Sequence, residues 1–169
     1  MFIAIIQHTP VWVWGLFIAL LAAGLAQTRP RELGLARVTL LPLLLVGLSL
    51  AGVFSAFGHA PIAFGGWSVG ASAAFAFARH TLAVRGARWS SAARTLHVPG
   101  SWWPLALMVG LFALKYGAGA SLALNPALAR DAVFAGLCSA AYGTVSGLFM
   151  ARALSLRNLA TAPGSLQTA

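Results

Sequence analysis

The most prominent polar group in this chain of 169 residues is its single lysine, Lys115, which lies inside an apolar run spanning 101–122. An ammonium near the centre of a membrane costs about 2.5–3.5 kcal/mol on insertion scales, so it must reach the headgroups, face a bundle interior or find a partner. Tyr116 follows it directly, while Asp131 and Tyr142 lie at the start of and within the next apolar run. These four residues form a candidate cavity for a small solute.

Two simpler interpretations stay open for the charged members of this group. The alkyl stem of Lys115 could carry its ammonium to the outer interface of the membrane, as lysine stems often do. Asp131, beside Arg130, suits the negative charge that is favourable at the start of a helix. In that case Asp131 stabilises a helix and is not a partner of Lys115.

The four histidines form two pairs, one near each end of the predicted spans. His8 and His59 fall at one end, His80 and His97 at the other. Imidazoles ligate copper, zinc and haem. Neither pair of histidines has a nearby cysteine, methionine or carboxylate that would complete a metal site, and no two histidines share a helix at the spacing of metal ligands. No cofactor is therefore predicted. A haem or copper redox component that uses His8 and His59 is the weaker alternative.

The sequence offers little support for an enzymatic activity. The chain contains no H-E-x-x-H motif, no phosphate-binding glycine loop and no paired carboxylates. Its one cysteine, Cys138, excludes an intrachain disulfide and a cysteine metal cluster. The sequence therefore favours a protein without enzymatic activity and leaves the question of an enzyme open.

Composition places the chain in the membrane. Hydrophobic residues make up 60% of it and charged residues 8%, whereas soluble domains carry about 25% charge. The net charge of +9 comes from arginines in short loops between apolar runs. That distribution reports membrane topology and not nucleic-acid binding.

The predicted fold is all-α, a polytopic bundle of five transmembrane helices forming one domain over residues 1–152, followed by a polar tail over 153–169. The expected spans are 10–27, 38–57, 62–78, 101–122 and 132–151, each near the length that a membrane requires. Thr9 and Pro10 suit the cap and first position of the first helix. The loop 79–100 is too short and too charged to cross again, and it forms either a short β-hairpin, which we favour, or an amphipathic interfacial turn.

The arginines predict the orientation. Nine of them fall in the first loop, in or beside the loop 79–100, or at the C-terminal end, and only Arg130 lies on the opposite side. The positive-inside rule then places the N-terminus outside and the C-terminus in the cytoplasm, with an odd number of crossings, in a bacterial inner membrane.

Small residues recur at four-residue spacing and are candidates for helix packing, because close backbone approach drives helix association in lipid. They are Gly66, Gly70 and Ala74 in the third span, Gly143 and Gly147 in the fifth, and Gly47, Ala51 and Ser55 in the second. A chain this rich in glycine, alanine and serine also forms such ladders by chance. The expected partners are the lipid bilayer and a homo-oligomer or another membrane protein, and no nucleic acid.

Several segments resemble a family of small bacterial inner-membrane proteins that carry a domain of unknown function. The matching segments are IIQHTPVWVWGLFIALLAAGLAQTRPRE, RVTLLP, PGSWWPL, FALKYGAG and YGTVSGLFMAR. The resemblance covers nearly the whole chain and implies a five-span inner-membrane protein, without an activity or catalytic residues to carry over.

Two functional hypotheses follow. The first is binding or transport of a small solute, with Lys115, Tyr116, Asp131 and Tyr142 lining the site. The alternative is a structural or assembly subunit that acts through contacts between helices, for which the small-residue ladders are the motive.

Overall fold

The computed structural model describes residues 10–58, 60–81, 86–90 and 95–161, and most of them are helical. The helices are α1 (Val11–Ala26), α2 (Leu35–Phe57), α3 (Pro61–Thr81), α4 (Trp103–Leu124) and α5 (Ala132–Thr161). The strands are β1 (Arg31–Gly34), β2 (Arg88–Ser90) and β3 (Thr95–Val98), and a 3-10 turn over Pro126–Arg130 joins α4 to α5. The predicted helical class is confirmed, with a small sheet added to it.

Four of the described helices, α2 to α5, are long and apolar enough to cross a membrane. The helix α1 is equally apolar, but its 16 residues fall short of the roughly 20 that a spanning helix needs. Length and composition therefore support four crossings, and the fifth stays a prediction.

Prolines and polar caps set the helix boundaries. Pro61 and Pro104 occupy first turns, where the missing N–H costs no hydrogen bond. Gly58 ends α2 with a φ of 61°, a left-handed conformation that glycine adopts without a Cβ penalty. At the start of α5, Asp131 Oδ1 accepts a hydrogen bond of 2.6 Å from the Phe134 N–H. Local chemistry thus marks the end of α2 and the starts of α3, α4 and α5.

The helix α5 is the centre of the bundle. It contacts α2, α3 and α4, and 39% of its most apolar stretch is buried, against 11–18% for the other three long helices. The helix α1 packs on α4 at the edge of the bundle. A helix that buries several faces at once is a core element, so the rest of the bundle is arranged around α5.

The helices α3 and α5 run in the same direction and touch through their backbones. Gly70 of α3 lies against the carbonyl of Ala140, and Gly143 of α5 lies against the carbonyl of Trp67. A Cβ at either glycine would overlap those backbone atoms. The interface continues along both helices, with Gly66 against Gly136 and Gly147 against Ala71, and with Ala74 buried. Only residues without a side chain permit this approach.

A three-stranded antiparallel sheet with the order β1-β3-β2 covers one end of the bundle. Leu96 of β3 pairs with Leu33 of β1 and with Trp89 of β2. With Val98, Leu96 packs against residues of α2 and α5. The predicted hairpin in the loop 79–100 is confirmed as the pairing of β2 with β3, so the alternative of an interfacial turn does not hold. The strand β1, from the first loop, was not predicted.

The helix α5 continues past the predicted end of the fifth span to Thr161. Leu156 and Ala160 explain the extension, because they pack under the sheet with Leu96. The last turns of α5 therefore belong to the cap that closes this end of the bundle.

Replacing Gly70 by alanine should destabilise the protein, because the new methyl group meets the Ala140 carbonyl and overpacking of this kind costs about 1–3 kcal/mol. The matched control is Gly119→Ala in α4, where a Cβ has nothing within 4 Å. Thermal unfolding in detergent should show a lower midpoint for the first variant and an unchanged or higher one for the second. Equal midpoints would contradict the backbone contact.

Candidate functional site

The side chain of Lys115 turns into the bundle. From its place on α4 it reaches between α2 and α5, where its Nζ contacts Gly52 and lies 5.0 Å from the centroid of the Tyr142 ring. Three helices therefore meet at one ammonium group. This junction of Lys115, Tyr142 and Gly52 is the candidate site.

The surroundings fix the ammonium in this position. A Cβ at residue 52 would overlap Nζ, so the missing side chain of Gly52 provides the space. Tyr142 is only 4% exposed and belongs to a packed cluster with Val53, Phe57 and Ala118. The ring is consequently held still beneath the charge. A cation–π contact contributes about 0.5–1 kcal/mol when exposed and 2 or more when desolvated.

The ammonium has no anionic partner among the described residues. It carries three N–H donors, and no hydrogen bond or ion pair from Lys115 to the described part of the chain is present beyond the ring contact. The two carboxylates of the chain are engaged elsewhere. Asp131 caps α5, and Glu32 in β1 accepts a hydrogen bond of 3.3 Å from Thr95.

Of the four predicted cavity residues, the structure brings two together. Lys115 and Tyr142 meet, whereas Tyr116 stacks on Phe112 with ring centroids 6.0 Å apart, and Phe112 contacts Phe17 of α1. Tyr116 thus faces α1, and Asp131 lies at the helix start. Gly52 was missed by the sequence analysis, because one glycine among the 18 in the chain gives no signal of its own.

A buried hydroxyl on α5 also lacks a partner among the described residues. The Ser139 side chain is fully buried, and its Oγ has no hydrogen-bond partner in the described structure. It lies three residues before Tyr142, hence about one helical turn away. A buried hydroxyl without a partner costs about 1–3 kcal/mol. Ser139 of α5 and Lys115 of α4 are thus two polar groups near Tyr142 to which the described residues give no hydrogen bond.

A groove of about 280 Å³ opens between α2, α3 and α5. Two of its lining residues donate hydrogen bonds, the Trp67 indole N–H to Ser49 Oγ at 3.2 Å and the Ser146 hydroxyl to the Tyr142 carbonyl at 2.9 Å. The lining is mainly apolar and consists of Val46, Trp67, Ala71, Ser72, Phe75, Ser146, Gly147 and Met150. Lys115 does not line it, so the groove and the candidate site are separate.

Residues 66–70 read GWSVG and match the G-x-S-x-G pattern of serine hydrolases. In those enzymes the serine occupies a strained turn between a strand and a helix. Here Ser68 is exposed in the interior of α3, and the two glycines form part of the α3–α5 contact. The match reflects helix packing and not a nucleophile.

The predicted metal ligands His8 and His59 lie outside the described residues. Within the described ranges, no group of three or more histidine, cysteine, aspartate or glutamate side chains is positioned to hold a metal ion. His80 and His97 are exposed at the sheet end of the bundle.

Comparison with known proteins gives a family without an assigned activity. No curated protein and no solved structure matches the chain. The model of a family of unknown function matches residues 1–166, which is nearly the whole sequence. The chain therefore belongs to the family of unknown function DUF6622.

Proposed function

We propose that this chain is a five-span protein of a bacterial inner membrane, with its N-terminus outside and its C-terminus in the cytoplasm. Four helices of membrane length and the apolar α1, which is about 24 Å long, support this topology. The described arginines that flank the helices divide unevenly, seven at the sheet end and Arg130 at the opposite end. By the positive-inside rule the sheet end faces the cytoplasm.

Reporter fusions test the orientation. We expect a fluorescent protein that folds only in the cytoplasm to report after residue 169, and alkaline phosphatase, which needs the periplasm, to report before residue 1. The physical reason is the excess of arginine at the sheet end. If both ends report from the same compartment, the five-span topology is wrong.

For the function, we propose binding of a small anionic solute at Lys115. The observation that carries the proposal is the ammonium held inside the bundle, over the Tyr142 ring and against Gly52, without an anionic partner in the described residues. A charge placed in a low-dielectric interior is costly unless it is paired. A bound anion would complete that pair and leave a neutral site.

The geometry also favours a small ligand. Lys115 is half-buried, so a ligand can approach its three N–H donors from only part of their surroundings. The ring of Tyr142 occupies one side of Nζ and the backbone at Gly52 another. A monovalent anion such as a short carboxylate or chloride fits this opening and balances one ammonium. A large dianion would bring more charge than the site neutralises.

The variant Lys115→Met should lose the response to anions while keeping the fold, because methionine has an apolar chain of similar length and no charge. Thermal unfolding in detergent is measured with sodium acetate or chloride at constant ionic strength, with a bulky sulfonate as the balancing anion. The midpoint of the wild type should rise with the concentration of the small anion, as binding to the native state requires.

Lys115→Arg is the matched control, since it keeps the positive charge and should keep part of the response. Gly52→Leu should reduce the response, because the new side chain takes the space of Nζ. A wild type that responds to neither anion, or a methionine variant that responds like the wild type, contradicts the proposed site.

A role in assembly is the second candidate, and one observation favours it. Gly47, Ala51 and Ser55 form a ladder on α2 that is exposed, and a Cβ at Gly47 has nothing within 4 Å. The small residues of α3 and α5 instead pack against each other inside the bundle. The α2 ladder is therefore an exposed small-residue surface on a helix of membrane length that is available to a second copy of the chain.

Replacing Ala51 by leucine should reduce self-association if this surface is used, because a large side chain prevents close approach of two α2 helices. The comparison variant is Gly119→Leu, which adds the same side chain to an exposed position on α4. Cross-linking in membranes followed by light scattering in mild detergent measures the oligomer. A monomeric wild type, or an equal effect of both variants, would exclude this role for α2.

A further inference from the structure

Three arginines lie beside the hydrophobic cluster that joins the sheet to α2 and α5, at the end of the bundle opposite to the Lys115 contact. Arg31 comes from β1, Arg37 from the first turn of α2, and Arg152 from α5, four residues before the buried Leu156. The strand β1 alternates in exposure, and Arg31 lies on its inner, partly buried side with Leu33. Sheet pairing and the packing of Leu33, Val38 and Leu156 in one cluster therefore bring the three elements that carry these arginines together.

The positive charges act on one another. Partial burial and then the charge of Arg37 lower the pKa of Arg31. The charge of Arg31 in turn acts unfavourably on the half-buried guanidinium of Arg152. Such repulsion costs stability unless an anion offsets it.

The chain itself supplies little negative charge to this cluster. It has two carboxylate side chains. Asp131 is at the other end of the bundle, where it caps α5. Glu32 lies on the outer side of β1, opposite His97 in the strand register, and accepts a hydrogen bond from the Thr95 hydroxyl. The arginine cluster has a neutral partner in Gln27, whose Oε1 accepts from Arg31 Nη2 at 2.8 Å.

Other features of this corner also suit an anion. The helix α2 begins at Gly34 without a side-chain cap and without an acidic residue in its first turn, so its free N–H groups add positive potential. Arg37 and Arg152 lie where the predicted second and fifth spans meet their polar ends, which is headgroup depth in a membrane. Guanidinium groups bind phosphate oxygens through paired N–H donors.

We propose that Arg31, Arg37 and Arg152 form a binding site for the phosphodiester of an anionic glycerophospholipid. Basic pockets between helices at the cytoplasmic side recognise headgroups in this way. The acyl chains of such a lipid would lie along the exposed leucines of α2, among them Leu40 and Leu44. This inference rests on the proposed membrane placement and is independent of the Lys115 site.

Native mass spectrometry of the whole chain in mild detergent tests the proposal. The protein is incubated with phosphatidylglycerol, with phosphatidylcholine, or with inorganic phosphate, and retained lipid and the thermal midpoint are measured. We expect phosphatidylglycerol to be retained and to raise the midpoint, with phosphatidylcholine weaker and inorganic phosphate without effect. Each arginine replaced by glutamine should weaken retention about fivefold, from about 1 kcal/mol per basic residue.

Arg37→Gln is the most direct variant, because Arg37 is exposed in the first turn of α2 and its loss leaves the packing intact. Arg152→Gln tests the α5 contribution. The matched controls are Arg130→Gln, at the other end of the bundle, and Arg157→Gln, which is exposed on the last turns of α5. Normal retention by both controls, with loss in the cluster variants, supports the site.

Three outcomes would overturn the proposal. One is equal loss in the control and cluster variants, which would indicate an effect of net charge alone. Another is stabilisation by inorganic phosphate that matches the lipid, which would assign the cluster to a soluble anion. The third is a wild type that retains phosphatidylglycerol no better than phosphatidylcholine. None of these outcomes bears on Lys115, so the two proposals fail or hold separately.

Discussion

The backbone contact between α3 and α5 is the constraint on which the rest of the bundle depends. Lipid offers helices no hydrophobic reason to associate, so packing must come from close approach. Gly70 and Gly143 provide it by bringing each backbone against a carbonyl of the other helix. With α3 fixed on one side of α5, the remaining sides are free for α2 and α4. The junction that holds Lys115 exists because α2 and α4 meet on α5 at Tyr142.

Much of the helical framework could be predicted from the sequence, since apolar runs of membrane length and prolines at their starts are local signals. The boundaries of α2 to α4 agree with expectation to within about three residues, as fraying and capping allow. The strand β1 could not be foreseen. Its four residues show no alternation of apolar and polar types in the sequence. The strand forms only because β3 supplies a pairing edge from a loop over 60 residues away. The extension of α5 likewise depends on a contact between distant parts of the sequence, because Leu156 is buried by packing against Leu96 and Val98 of the sheet.

The sequence could predict that Lys115 forms a candidate site, but it could not predict which residues surround the lysine. A lone lysine at membrane depth is visible in any sequence, and so is a tyrosine on a neighbouring span. Which tyrosine faces the lysine depends on how α4 is rotated, and adjacent residues on a helix point about 100° apart. Tyr116 therefore faces Phe112 and α1, whereas Lys115 faces α5. Gly52 contributes by lacking a side chain, which leaves space for Lys115 Nζ. The sequence does not show which glycine lies opposite the lysine.

The central position of α5 has a consequence for how the protein is made. It is the last of the described helices in the chain, so the ribosome has already delivered α2, α3 and α4 when their common partner emerges. Until then the glycines of α3 lack the α5 backbone that they contact, and Lys115 lacks the Tyr142 ring. Assembly of the bundle around α5 therefore waits until this helix has been synthesised. A chain interrupted before α5 would keep the contact of α1 with α4 but would lack the helix that α2, α3 and α4 all contact.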